Sequence, residues 1–164
     1  MLADNLRRCV NGSNSSGGSN SGTPVLLATY TTSGYFIVPS GYSSFKIELI
    51  GGKGGDGTLS VQTWGGYGHG GNGAKITFTV PVSDMAVGTF QTFTVGVNGA
   101  DSGSWKDGLD GSDSIFMGMT AGGGCGGGEM IGNGANGSSI CTTYTNTTPN
   151  QTGTSASMKV YGIA

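Results

Sequence analysis

Residues 45–57 read FKIELIGGKGGDG, and the pattern changes character halfway along. In the first half Phe45, Ile47 and Leu49 alternate with Lys46 and Glu48, the period-two pattern of a strand with one buried face. After Ile50 the chain turns to glycine, with Gly52, Gly54 and Gly57 at the G-x-G-x-x-G spacing that cradles a dinucleotide pyrophosphate. Such a site needs a helix N-terminus directly after the glycines and an acidic residue roughly 20 positions further on. Neither follows, because TLSVQTWGGYGHGG cannot supply the helix and the next acid after Asp56 is Asp84. The stretch therefore reads as a strand running into a structural glycine loop, and no cofactor is expected. Residues 51–59 also approach the calcium nonapeptide G-G-x-G-x-D-x-U-x, but Leu59 falls one position late and the repeat does not recur.

Working outward, the same alternation returns along the chain. AKITFTVP points Ile76, Phe78 and Val80 inward, FQTFTVGV places Phe93, Val95 and Val97 on one face, SIFMGM does so with Ile115, Met117 and Met119, and ASMKVYGI with Met158 and Val160. With VLLATY and YFIVP this gives about seven short strands and no helix after residue 10, the mark of an antiparallel β-sandwich or jelly-roll-like domain over residues 24–164. Residues 1–23 read as an arm. Leu2, Leu6 and Cys9 or Val10 recur at helical spacing over a turn or two, and NGSNSSGGSNSGT has a flexible-linker composition.

Glycine accounts for 35 of 164 residues, against about 7% in average usage. It concentrates between strands, in GGKGGDG, GGYGHGGNG and AGGGCGGGEMIGNGANG. These segments have no side chains with which to build a hydrophobic core. They are expected to pack backbone to backbone, as extended glycine helices sharing hydrogen bonds or as long loops ordered by a neighbour.

Charge excludes some partners. Seven Lys and Arg against nine Asp and Glu give a net charge of −2, so no basic stripe offers itself to nucleic acid. The opening MLADNLRRCV lacks the apolar run of a secretory signal, and no stretch reaches the about 18 apolar residues of a membrane span. Synthesis in a cytoplasm without a leader is the expectation. Three cysteines, Cys9, Cys125 and Cys141, fit no zinc spacing and read as buried or free thiols, with a Cys125–Cys141 bridge the alternative if the protein ends in an oxidising compartment. Sequons at Asn11, Asn14, Asn136, Asn146 and Asn150 follow from composition in a chain so rich in Asn, Ser and Thr.

Few residues promise chemistry. DGLDGSD carries Asp107, Asp110 and Asp113, three carboxylates that a tight turn would bring together on calcium, although Asp-Gly pairs are also ordinary hairpin chemistry. The single histidine, His69, has no nucleophile or carboxylate beside it in GGYGHGGNG, so no catalytic set is expected. Trp64, Tyr67 and Trp105 lie in or beside the glycine-rich segments, and with His69 they form the candidate interaction surface.

The order of these features, YFIVPSGYSSFKIELIGGKGGDG, GGYGHGGNGAKITFTVPV, FTVGVNG and DGLDGSDSIFMGMTAGGGCGGG, resembles the glycine-rich domain of phage tail-fibre proteins and of virion proteins of large DNA viruses. Val38 to Gly41, Gly51 to Gly57, Gly70 to Ala74, Val95 to Gly99 and Gly111 to Phe116 occupy the family's positions, over about residues 30–130. The chain departs from the tail-fibre pattern in having only a short arm before the domain and a last glycine tract broken by Cys125, Glu129 and Met130. The resemblance implies a structural protein of a virus particle, a minor capsid or surface component that packs against other virion proteins or copies of itself and has no catalytic residues. The alternative it implies is a receptor-binding tip that uses the glycine-rich segments and aromatics to hold a host-surface ligand.

Overall fold

The computed structural model describes residues 22–57, 68–103, 106–128, 133–148 and 150–164. Of the arm expected over residues 1–23, residues 1–21 lie outside them. Ten strands follow one another: β1 (Val25–Tyr30), β2 (Gly34–Ile37), β3 (Ser44–Ile50), β4 (Gly73–Pro81), β5 (Phe90–Phe93), β6 (Ser114–Phe116), β7 (Met119–Ala121), β8 (Ser139–Cys141), β9 (Gln151–Gly153) and β10 (Ser157–Ile163). Among the described residues the one helical element is a 3-10 turn at Val82–Asp84.

The strands form two layers. One is an antiparallel sheet in the order β1-β10-β3-β4-β9. The other joins the pair β2-β5 to the sheet β6-β7-β8 through an antiparallel bridge between Thr94 and Ile115. Alternation decides which side chains lie between the layers. From the first sheet come Phe45, Ile47, Leu49, Ile76, Phe78, Val80, Met158 and Val160, each fully buried. Phe36, Val38, Phe93, Phe116 and Met119 face them from the second. Phe36 meets Phe45 edge-on at 5.7 Å, and Tyr30 meets Phe93 at 4.5 Å. The chain is thus an all-β antiparallel sandwich.

Two strand faces differ from the periodic reading. Val97 is 68% exposed, because β5 ends at Phe93 and the chain beyond Val95 leaves the sheet geometry. Ile115 faces outward, while Ser114 and Phe116 on either side of it are buried. Met117 does not continue the strand. Met117 and Gly118 have φ of 48° and 77°, a two-residue turn that matches strand twist and joins β6 directly to β7. The stretch SIFMGM thus holds β6, its turn and the first residue of β7, and period counting cannot see the reversal.

One lateral edge of the sandwich is closed. Where β9 stops pairing with β4, residues 146–148 take over: Asn146 Oδ1 accepts the Thr77 N–H at 3.1 Å and Thr147 N–H donates to the Thr77 carbonyl at 2.7 Å. Tyr144 stacks on Phe78 with centroids 5.6 Å apart. Its hydroxyl donates to Asp84 Oδ2 at 2.8 Å, and burial together with that carboxylate pushes the phenol up to about 12. The sequon residue Asn146 is buried by this role.

Candidate functional site: a bundle of six glycine helices

The glycine-rich segments leave the sandwich as three out-and-back excursions. Segment I (51–57) extends from β3 and segment II (68–72) returns into β4; III (96–103) extends from β5 and IV (106–113) returns into β6; V (122–128) extends from β7 and VI (133–138) returns into β8. Their backbone bonds recur at every third residue. Gly52 and Gly55 donate to Ser112 and Leu109, Gly54 and Gly57 to Gly71 and Gly68, Gly124 and Gly127 to Gly52 and Gly55, and Gly108 and Gly111 to Gly127 and Gly124, all at 2.8–2.9 Å. A three-residue repeat without internal bonds is polyproline-II geometry, in which each helix bonds only to its neighbours.

The partners fix the lattice. I bonds to II, III, IV and V, and V bonds to I, II, IV and VI. III also bonds to IV, and VI to II. Six helices therefore lie in two staggered rows, III-I-II over IV-V-VI. Close approach is the reason for glycine: a β-carbon on Gly55 would overlap the Ala100 carbonyl, and one on Gly127 would overlap that of Gly68. Helix I, with four neighbours, has two glycines per turn and leaves only Lys53 and Asp56 to point outward. Corner helices III and VI, with two neighbours each, need one, at Gly96 and Gly99 and at Gly134 and Gly137.

The outward-facing N–H groups of helices I, II and V are met by side chains at the same three-residue interval. Asn98 and Asp101 accept from Lys53 and Asp56; Asn133 and Asn136 accept from His69 and Asn72; Asp110 and Asp113 accept from Gly126 and Gly123, all between 2.7 and 3.0 Å. Asp56 Oδ1 takes the Gly70 N–H at 2.8 Å. With these, every N–H of residues 51–57, 68–72 and 122–127 has an acceptor. The bundle has almost no apolar interior, so this full accounting of backbone groups is what holds it. Ser114 fastens it to the sandwich: its fully buried hydroxyl donates to Ile50 O at 2.7 Å and accepts the Gly96 N–H at 2.9 Å.

This arrangement bears on several residues singled out from the sequence. Asp110 and Asp113 sit one turn apart, about 9 Å along a polyproline-II helix, and are occupied by peptide N–H groups, so they do not converge on one cation. Among the described residues no group of three metal-ligating side chains occurs. Cys125 and Cys141 are not joined by a disulfide: Cys125 projects from helix V to the surface, while Cys141 ends β8 opposite Met119. The N–H groups of Gly52, Gly54 and Gly57, which a pyrophosphate would require, are donated within the bundle. His69 does have a carboxylate neighbour, since the lattice brings Asp56 Oδ2 to 3.3 Å from its Nδ1. The Gly70 N–H, aided by His69 and Lys53, holds the Asp56 carboxyl below its ordinary range. Trp64, Tyr67 and Trp105 lie outside the described residues.

Direction of travel matters most for function. Helices I, III and V all run away from the sandwich, and II, IV and VI all run back. The outer ends of all six helices therefore lie at the far end: Gly57 and Gly68, Gly103 and Lys106, and Gly128 and Asn133. These ends are neighbours: Gly57 N–H donates to Gly68 at 2.9 Å, Gly68 to Gly128 at 3.2 Å, and Ser102 to Asp56 at 3.0 Å. Helices III and IV escaped the sequence reading because one glycine per turn looks unremarkable. The signal that marks them is an Asn or Asp at every third position, as in Asn98 and Asp101 or Asp107, Asp110 and Asp113. No protein-family model matches the chain, and no curated protein matches it.

Proposed function

We propose that this chain is a recognition module of a virus particle, in which the sandwich packs among other virion proteins and the glycine bundle presents a host-surface binding end. The observation that carries the reading is the convergence of the outer ends of all six helices at the end of the bundle distant from the sandwich. A lattice bonded through its backbone uses few side chains, so large side chains fall to the stretches of sequence between the helix ends. Those stretches contain Trp64, Tyr67 and Trp105, aromatic residues of the kind that anchor binding surfaces. The resemblance to the glycine-rich domain of tail-fibre and virion proteins supports the setting. A purely structural shell role draws on the same resemblance, but it gives no reason for the convergence of the helix ends.

Replacing Trp64, Tyr67 and Trp105 together by alanine tests this. Host-cell attachment is expected to fall at least tenfold while thermal stability and incorporation into particles stay unchanged. Unchanged attachment overturns recognition and leaves the shell role.

A further inference from the structure

The two lateral edges of the sandwich are treated differently. The β4–β9 edge is covered by residues 142–148, whereas the β1–β2 edge is open among the described residues. β1 is the terminal strand of its sheet and β2 of the other, and between them runs an open groove of about 440 Å³. Leu27 and Tyr30 line one wall, Tyr35, Phe36 and Ile37 the other, and Tyr42 one end. Its rim is apolar: Tyr35 is 57% exposed and Ile37 51%, with Phe90, 63% exposed, packed edge-on against Tyr35 at 5.1 Å. Among the described residues no charged side chain lines it.

The chain enters the fold at this groove. Gly22 lies against Ala164, and the Tyr42 ring lies over Gly162, two residues away in β10 and so about 7 Å along the strand. Residues 11–21 consist of Gly, Ser and Asn, and a linker of that composition and length spans roughly 18 Å. Ahead of it Leu2, Leu6 and Val10 recur at intervals of four, with Asp4, Asn5, Arg7 and Arg8 between them. We propose that residues 2–10 of the same molecule occupy the β1–β2 groove through Leu2, Leu6 and Val10, closing this edge as Tyr144 and its neighbours close the other.

A nitroxide attached at Cys9 of the full chain, with Cys125→Ser and Cys141→Ser, tests the placement. The amide signals of Leu27, Tyr35 and Ile37 are expected to lose more than half their intensity relative to the reduced label, and adding Leu2→Asp and Leu6→Asp is expected to restore them. Full intensity with the label in place, or loss that survives the aspartates, overturns the proposal. Broadening in a sample where label and isotope sit on different molecules also overturns it, assigning the groove to a second copy. A cysteine-independent readout guards against misfolding of the labelled variant. In the otherwise native chain, Leu2→Asp with Leu6→Asp should shift the Tyr35 and Ile37 amide resonances and leave those of the glycine bundle in place; unshifted groove resonances count against the proposal.

Discussion

The Asp101 carboxylate accepts the peptide N–H of Asp56 at 2.8 Å, and one turn back along helix III the Asn98 carbonyl does the same for Lys53 at 3.0 Å. The pairing shows what finishes a glycine lattice where its neighbours run out. Inner helix I has donors pointing in three directions, and where no further helix lies, a short side chain from the adjacent helix bends over to take the donor. Because an unpaired buried donor costs about 1–3 kcal/mol and a solvated one less, Asp101→Ala should destabilise by about 1 kcal/mol and Asp101→Asn by much less. Thermal unfolding reads the difference, and the Asp56 amide should exchange faster only in the alanine variant.

Glycine at lattice contacts should be nearly unreplaceable. Gly127→Ala places a methyl group against the backbone carbonyl of Gly68, and neither backbone can withdraw without breaking its own bonds. A loss of at least about 3 kcal/mol is expected, a large part of the about 5–15 kcal/mol that holds a domain together. Gly103→Ala, where a β-carbon would meet nothing within 4 Å, is the control and should change stability little.

Acid should loosen the bundle through Asp56. Its carboxyl is held down in the folded state, so the stabilisation it gives is complete above the unfolded carboxylate range and is lost as pH falls through the lower folded value. Asp56→Asn should remove this part of the acid dependence. Glu48 acts in the same direction from the sandwich, where bonds and charge from Lys75 at 2.9 Å and Lys159 at 3.3 Å outweigh the cost of its burial. Denaturant midpoints between pH 6 and pH 2 for the native chain and Asp56→Asn measure the share of each.

Alkali tests the closed edge. The phenol of Tyr144, raised to about 12, stays protonated while an unfolded tyrosine ionises near pH 10. Its stabilisation is therefore complete below pH about 10 and lost as pH climbs through the folded value. Ultraviolet titration should show late ionisation from Tyr144 and from Tyr30, whose phenol burial also pushes up, and Tyr144→Phe should reduce the late step by the share of one tyrosine. If the late step is undiminished, Tyr144 and its bond to Asp84 do not contribute to it.

Both levels of the structure left traces in the sequence, in different alphabets. Alternation at Phe45, Ile47 and Leu49 and at Ile76, Phe78 and Val80 marked strands and core faces, because a pleated strand turns successive side chains to opposite sides whatever lies around it. The glycine tracts marked backbone-to-backbone packing, since nothing else could give them an interior. Hidden were helices III and IV, whose one glycine per turn reads as ordinary loop, and the purpose of Asp110 and Asp113, which reads as a cation loop until a partner backbone stands beside it.

The sequence alone determined an all-β chain whose glycine segments must pack through their backbones, because side-chain alternation and the absence of side chains are both local facts. Only the tertiary structure decided how many helices join, which of them lie inside, and that Asn and Asp at every third position serve as lids on peptide donors. Those outcomes depend on which helix lies next to which, and a backbone donor has no partner, and a carboxylate no role, until the neighbouring helix is in place.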